Sequence, residues 1–295
     1  MTDITTKPVI TQAMIDAYDE YTHLTLDRRR FMEQLTRLAG SGAAAAAIAP
    51  MLATNSAQAA MVAENDPRVK GGDVTYPGDG GEMKGYLVEP ANLTGKVGTV
   101  IVIHENRGLN AHIRDIARRV ALEGFIALAP DFLSPLGGTP EDEDKARDMF
   151  TKLDPAQTAA NGVATVAYLK ADRDGNGKVG AIGFCWGGAT ANTLAVNAPD
   201  LAAGVAYYGM QPKEADVSKI KAALLLHYAG LDDRINAGID AFKKELDAGH
   251  VEYTVYVYEG ANHAFNNDTS AARYDKKAAD LAWGRTIAFL KQKLA

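Results

Sequence analysis

Lys178-Val179-Gly180-Ala181-Ile182-Gly183-Phe184-Cys185-Trp186-Gly187-Gly188 is the stretch on which the fold turns. Lys178 to Ile182 reads as a short buried strand, and the Ala/Leu/Val-rich run from Ala189 to Asn197 reads as a helix. Between them lies a G-x-C-x-G-G turn that holds the only cysteine of the chain. Strand, glycine-bounded turn and helix are the context of a nucleophile elbow. So tight a turn needs small residues two before and two after the nucleophile, and Gly183 and Gly187 stand there. The sulfur of Cys185 would sit at a helix N-terminus, where the first amides and the helix dipole favour thiolate over thiol. A cysteine packed in the core is the plainer alternative, and the three glycines at these offsets argue for the nucleophile.

Working outward, the 295 residues are 47% hydrophobic and 23% charged, enough apolar material for one large α/β domain plus an extension. A net charge of −6 without a long basic run beyond the N-terminus argues against a nucleic-acid partner. One cysteine excludes an internal disulfide and an all-cysteine metal site. No metal or cofactor is expected.

The first 59 residues differ from the rest. Arg28-Arg29, followed by Phe31-Met32, resembles a twin-arginine export signal, Leu38 to Ala53 carries no charge, and Ala57-Gln58-Ala59 offers a small-x-small cleavage site. The apolar stretch is too short and weak for a membrane span. The expectation is therefore a signal segment and linker over 1–59, with the twin-arginine machinery as partner and a periplasmic or exported protein whose domain is 60–295. The alternative is an amphipathic helix from Thr11 to Leu38 docked on the domain, an alanine-rich linker after it, and a cytoplasmic location.

Within 60–295, Asp73–Tyr76 and Met83–Val88 read as a hairpin around Pro77-Gly78-Asp79-Gly80-Gly81. The β-branched run from Gly98 to His104 has the character of a strand buried on both faces. Further strands are expected over Phe125–Ala129, Ala202–Tyr208, Ala222–His227 and Glu252–Tyr258. Helices are expected over Ile113–Glu123, Glu141–Lys152, Ala156–Ala171, Asp240–Ala248 and Ala271–Lys293. Strands alternating with helices imply a mostly parallel sheet covered on both faces. Pro135 to Pro140 reads as a mobile or insertable loop. Asp172-Arg173-Asp174-Gly175-Asn176-Gly177 matches the first half of a calcium loop, but its twelfth position is Gly183, where a bidentate glutamate is needed. It reads as a surface turn.

A thiol needs a base, and the base needs an orienting group. His227 ends an apolar run and reads as packed at the sheet end, while His250 falls at the opposite end of the sheet from the elbow. His263 follows the last strand, on the side where parallel sheets place their sites, and is the candidate base. The loop Gly230-Leu231-Asp232-Asp233-Arg234-Ile235 supplies two acids. Asp232 is preferred because Ile235 begins the next packing segment, with Asp233 left as a turn residue pairing with Arg234. The oxyanion donors would be the Trp186 amide and one from Glu105-Asn106-Arg107-Gly108.

With these pieces in place, the chain resembles the dienelactone hydrolase family of α/β-hydrolases over Tyr76 to Leu294. The resemblance rests on Gly-Phe-Cys-Trp-Gly-Gly at 183–188, Ala-Pro-Asp at 129–131, Gly-Leu-Asp at 230–232 and Asn-His-Ala-Phe at 262–265. It implies an α/β-hydrolase fold and a carboxymethylenebutenolidase-like hydrolase, with Cys185 as nucleophile, Asp232 as orienter and His263 as base. It also implies that Glu105 meets the resting thiol until substrate displaces it; a salt bridge to Arg107 or Arg114 is the alternative. The family's type enzymes grip an anionic dienelactone with two arginines. The matching stretches here, Asp131-Phe132-Leu133-Ser134 and Phe265-Asn266-Asn267, contain none, which leaves Arg107 as a substrate-binding candidate, puts a carboxylated dienelactone in doubt and sets a neutral ester or lactone at least level with it. The expected reaction is ester or lactone hydrolysis through a thioester. Its rivals are a thiol redox protein, which lacks a resolving cysteine, and a non-catalytic binding protein on a hydrolase scaffold.

Overall fold

A computed structural model describes residues 9–23, 25–53 and 60–295. Eight strands form one sheet in the order β1-β2-β4-β3-β5-β6-β7-β8. β1 (Val69–Gly78) and β2 (Gly81–Pro90) form an antiparallel hairpin, and β2 pairs antiparallel with β4 (Ile126–Asp131). β3 (Val97–Ile103), β5 (Gly175–Phe184), β6 (Leu201–Tyr207), β7 (Ala223–Ala229) and β8 (Tyr253–Tyr258) continue the sheet in parallel. The hairpin turns at Asp79-Gly80, where Gly80 takes the left-handed backbone (φ 77°) that glycine adopts without a Cβ penalty.

Alternation along β3 builds both layers. Val100 and Val102 join the core on one face, with Ile113, Ile116 and Val120 of α4 (Ala111–Leu122) and Leu290 and Leu294 of α10 (Lys276–Leu294). Ile101 and Ile103 join the other, with Val166 and Leu169 of α6 (Pro155–Lys170), Leu194 of α7 (Trp186–Asn197) and Phe242 and Leu246 of α9 (Ile239–Ala248). Short helices α5 (Glu143–Phe150) and α8 (Asp233–Asn236) lie in the connections after β4 and β7. Burial on both faces of β3 and of β5 from Val179 onward explains their largely apolar runs.

Local chemistry decides three details of the fold. α10 begins five residues later than its apolar pattern suggests, because the Asp275 carboxylate accepts the Ala278 N–H at 3.0 Å and caps the helix there. The loop expected to be mobile at 135–140 is tied down, since Asp131 accepts both the Thr139 N–H (2.7 Å) and its hydroxyl (2.8 Å). The calcium-like run is a turn closed on itself: Asp172 Oδ1 accepts the N–H groups of Asp174 and Gly175 at 2.9 and 3.1 Å.

The segment ahead of the domain is folded where it is described. α1 (Gln12–Thr22), α2 (Arg28–Ala39) and α3 (Gly42–Leu52) share a small core of Met14, Ile15, Tyr18, Tyr21, Phe31, Leu35, Ile48 and Leu52. The single docked helix weighed as the alternative is thus two helices, broken before the Asp27 N-cap, whose carboxylate accepts the Arg30 N–H. A third helix stands where a linker was expected. Arg28 pairs with Asp144 and Arg29 with Glu33, each at 3.0 Å. Among the described residues no single helix is long and apolar enough to cross a membrane; α2 and α3 pass that test only as a pair bent by 112°. The expected cleavage site at Ala57-Gln58-Ala59 lies outside the described residues.

Candidate active site

Cys185 links β5 to α7 with φ 55° and ψ −113°, a backbone conformation strained for any side chain. The geometry depends on two glycines. A Cβ on Gly183 would run into the Gly187 carbonyl, and one on Gly187 into the carbonyls of Ile103 and His104. The Cys185 N–H is anchored on Tyr207 O at 3.0 Å. The sulfur therefore stands at the first turn of α7, at the C-terminal ends of β5 and β6. Trp186 is the first residue of that helix, where amides lack an intrahelical acceptor. Its indole stacks on His104 at 5.5 Å and meets Phe150 edge-on at 4.8 Å.

His263 leaves the end of β8 on a loop and is buried. Its Nδ1 lies 2.5 Å from Asp232 Oδ2, and its Nε2 is buried without a hydrogen-bond partner. The other Asp232 oxygen accepts the Ile235 N–H at 3.3 Å, capping α8 and fixing the carboxylate. Asp233 is exposed. Cys185 Sγ and a ring nitrogen of each of His263 and His23 lie within 4.8 Å of one another. Among the described residues this is the cluster compact enough for a metal to bridge.

Electrostatics follow from that geometry. Burial pushes the Cys185 thiol up, but the charges of His263 and then His23 outweigh it and bring it down to about 6. Burial pushes His263 down, and the Cys185 sulfur, Asp19 and Asp232 raise it well above the ordinary histidine range. The two shifts describe one proton moved from sulfur to imidazole.

Two sequence expectations need correction. Glu105, which the resemblance places on the resting thiol, is held elsewhere: Oε2 accepts from Asn267 Nδ2 at 2.8 Å and Oε1 from the Tyr208 hydroxyl at 3.5 Å. It pairs with neither Arg107 nor Arg114. The polar partner on Sγ is His23, whose Nε2 stands 3.5 Å away. Arg107, the substrate-binding candidate, is buried and committed to Glu143 O (3.0 Å) and Asp144 (3.1 Å). His227 packs as expected, between Thr286 (3.1 Å) and Tyr258 (2.9 Å).

A cavity of about 290 Å³ opens over the sulfur, walled by Thr22, His23, Phe150, Trp186, Met210 and Ile235, with Arg147 and Arg234 also on its lining. Sequence reasoning missed His23 and Tyr208, whose ring lies 4.9 Å from that of His263. Neither stands in a motif. His23 lies in a segment whose arginines and alanines read as a leader.

The model of the Dienelactone hydrolase family matches residues 83–294, the stretch that holds the sheet from β2 onward together with Cys185, Asp232 and His263. The chain belongs to that family. An Escherichia coli O157:H7 relative named "Putative carboxymethylenebutenolidase" is 31% identical over 247 residues, covering 79% of this chain and 90% of its own. Among solved structures, a Klebsiella pneumoniae protein described as a "Putative Dienelactone Hydrolase" is 30% identical, covers 76% of this chain and 99% of its own, and has a TM-score of 0.70. The metagenomic "Dienelactone Hydrolase-like Promiscuous Phospotriesterase P91" is 25% identical over 77% of this chain and all of its own, also at 0.70. As a dienelactone hydrolase family member with an α/β-hydrolase fold, this protein is an ester or lactone hydrolase.

Proposed function

We propose that the protein hydrolyses a small, largely apolar ester or lactone through a thioester on Cys185, with His263 as acid–base and Asp232 as its orienting group. The observation that carries the reading is the His263–Asp232 contact at 2.5 Å, with Nε2 left unpaired beside the sulfur. A carboxylate on Nδ1 keeps the proton there and presents the Nε2 lone pair to the thiol.

In acylation, Sγ as thiolate forms a C–S bond at the carbonyl carbon. The tetrahedral oxyanion is stabilised by the Trp186 N–H, aided by an amide of the segment after β3. The bond to the leaving oxygen breaks as His263 Nε2 delivers its proton to that oxygen. In deacylation, neutral His263 takes a proton from water, the hydroxide adds to the thioester, and thiolate departs with the carboxylic acid released. Atoms and charge balance without any further reagent.

Substrate class follows from the cavity. It is small and its walls are mostly apolar, and two of the nearby arginines are occupied: Arg107 by Asp144, and Arg147 by Asp148 at 2.9 Å and the Tyr21 ring at 4.2 Å. A neutral acyl group therefore suits it better than a dicarboxylate. Because the P91 relative is named a promiscuous phosphotriesterase, a neutral phosphotriester is a useful second probe. The test is Cys185→Ala assayed with short p-nitrophenyl esters, enol-lactones and a p-nitrophenyl phosphotriester. Loss of turnover is expected, and retained turnover in the folded variant removes the mechanism.

A further inference from the structure

We propose that His23, carried by the helical segment outside the family match, is a second active-site imidazole that shares the Cys185 proton with His263 and keeps the sulfur ionised before substrate enters. This inference rests on the hydrolase reading above and adds a residue to that site. The geometry starts from His23 Nδ1, which lies 2.7 Å from Asp19 O. A carbonyl can only accept, so Nδ1 carries the hydrogen. In the neutral ring, Nε2 then presents a lone pair, and it faces Sγ at 3.5 Å. His263 has the same arrangement, with Asp232 on Nδ1 and Nε2 free. The two rings meet edge-to-face with centroids 4.6 Å apart. One thiol thus lies between two bases, each polarised from behind by an oxygen acceptor. When the S–H bond breaks, the proton forms an N–H bond on an imidazole, and the resulting cation pairs with the thiolate.

Of the other charged groups around the cluster, Arg147 on the cavity lining is held by Asp148, and Arg234 lines the same cavity. Asp19 of the arm pairs with Arg273 at 3.1 Å, and Glu105 is held by Asn267 and Tyr208. Asp232 faces His263, and the closest groups left to act on sulfur are the two rings. The arm is also fixed in place where His23 needs it. Asn106 Nδ2 donates to Thr22 O at 2.7 Å, Arg273 lies 5.0 Å over the Tyr18 ring, and Gln12 Nε2 reaches Asn262 Oδ1 at 2.5 Å. Residues 83–294 carry the family match, and His23 lies outside it.

The experiment is iodoacetamide alkylation of Cys185 in the full chain between pH 5 and 9, read by intact mass for wild type, His23→Gln and His23→Ala. Both variants should show an alkylation midpoint about one pH unit higher than wild type, hence a roughly fivefold slower reaction at pH 6 that approaches about tenfold at pH 5, with rates converging at pH 9. Millimolar imidazole should restore the low-pH rate in His23→Ala, a rescue that a merely structural role would not give. An unchanged midpoint in folded His23→Gln overturns the inference. Alkylation needs no ester, so a shifted midpoint without ester turnover would sink the hydrolase reading and leave His23 standing.

Discussion

His23 Nε2 stands 3.5 Å from Cys185 Sγ across 162 residues of sequence, and it takes the position by the sulfur that the resemblance assigns to Glu105. The consequence is a site made from two parts of the chain. The sheet supplies sulfur, His263 and Asp232, while the arm supplies a second ring and one wall of the cavity. Glu105 is left to hold the loop after β8 through Asn267. Its carboxylate braces the loop that carries His263 instead of guarding the thiol.

The Asp232 carboxylate sets the tautomer of His263, so Asp232→Asn should cost turnover far more than binding. An amide can present its N–H to Nδ1, which then accepts and leaves the proton on Nε2, the wrong face for a base. A fall in kcat on the order of 10³-fold or more, with KM little changed, is expected from p-nitrophenyl ester kinetics. Near-normal kcat would show that Asp232 serves to cap α8 through its other oxygen and does not set the His263 tautomer.

Activity should have an acid limb set by the sulfur. The Cys185 thiol is held at about 6, so the nucleophile is present above that pH and is lost as pH falls through it. His263 is raised well above the ordinary range, so its acid form persists through neutrality and is depleted only at higher pH. The profile of kcat/KM should therefore rise between pH 5 and 7 and decline on the alkaline side. Cys185→Ser, with a nucleophile that does not ionise in this range, should lose the acid limb set by the thiol along with most of the rate.

Much of this was legible in the sequence for physical reasons. β3, and β5 from Val179 onward, are buried on both faces, which leaves largely apolar runs, and the elbow is so crowded that only Gly183 and Gly187 fit. Ile235 three residues after Asp232 marks which of two adjacent acids caps α8 and turns inward. What the sequence could not disclose is long-range packing. The segment with the Arg28-Arg29 pair and five consecutive alanines carries no motif that announces the apolar face α2 and α3 bury with α1. Glu105 follows a strand that points at the elbow, but its direction depends on Asn267, a residue from a distant loop.

The elbow should tolerate almost nothing at Gly187. A methyl there meets the Ile103 and His104 carbonyls, which belong to the end of a central strand and cannot step aside. Gly187→Ala should destabilise the domain by about 3 kcal/mol or more, seen as a marked drop in the thermal midpoint or as insoluble expression. A folded, active variant would mean the turn can adopt a second conformation.

Arg273 ties the arm to the domain through Asp19 at 3.1 Å and through the Tyr18 ring, so Arg273→Met should loosen α1 without touching the sulfur. A loss of roughly 1–3 kcal/mol is expected for the orphaned contacts, with faster proteolysis confined to the arm and an alkylation midpoint displaced toward that of His23→Gln.

Removal of residues 1–59 on export and a working His23 exclude each other within one mature molecule. Arg28 and Arg29 remain the residues an export machinery would read, and both are exposed here. The contacts of α1 with Asn106, Arg273 and Asn262 instead favour an arm that stays. Intact mass of the protein recovered from cells, measured beside its alkylation profile, separates the two. The whole chain is expected in the fraction whose sulfur reacts at pH 6. A species beginning near Ala60 that alkylates with the same midpoint would show that the sheet alone ionises Cys185 and that the arm is a leader after all.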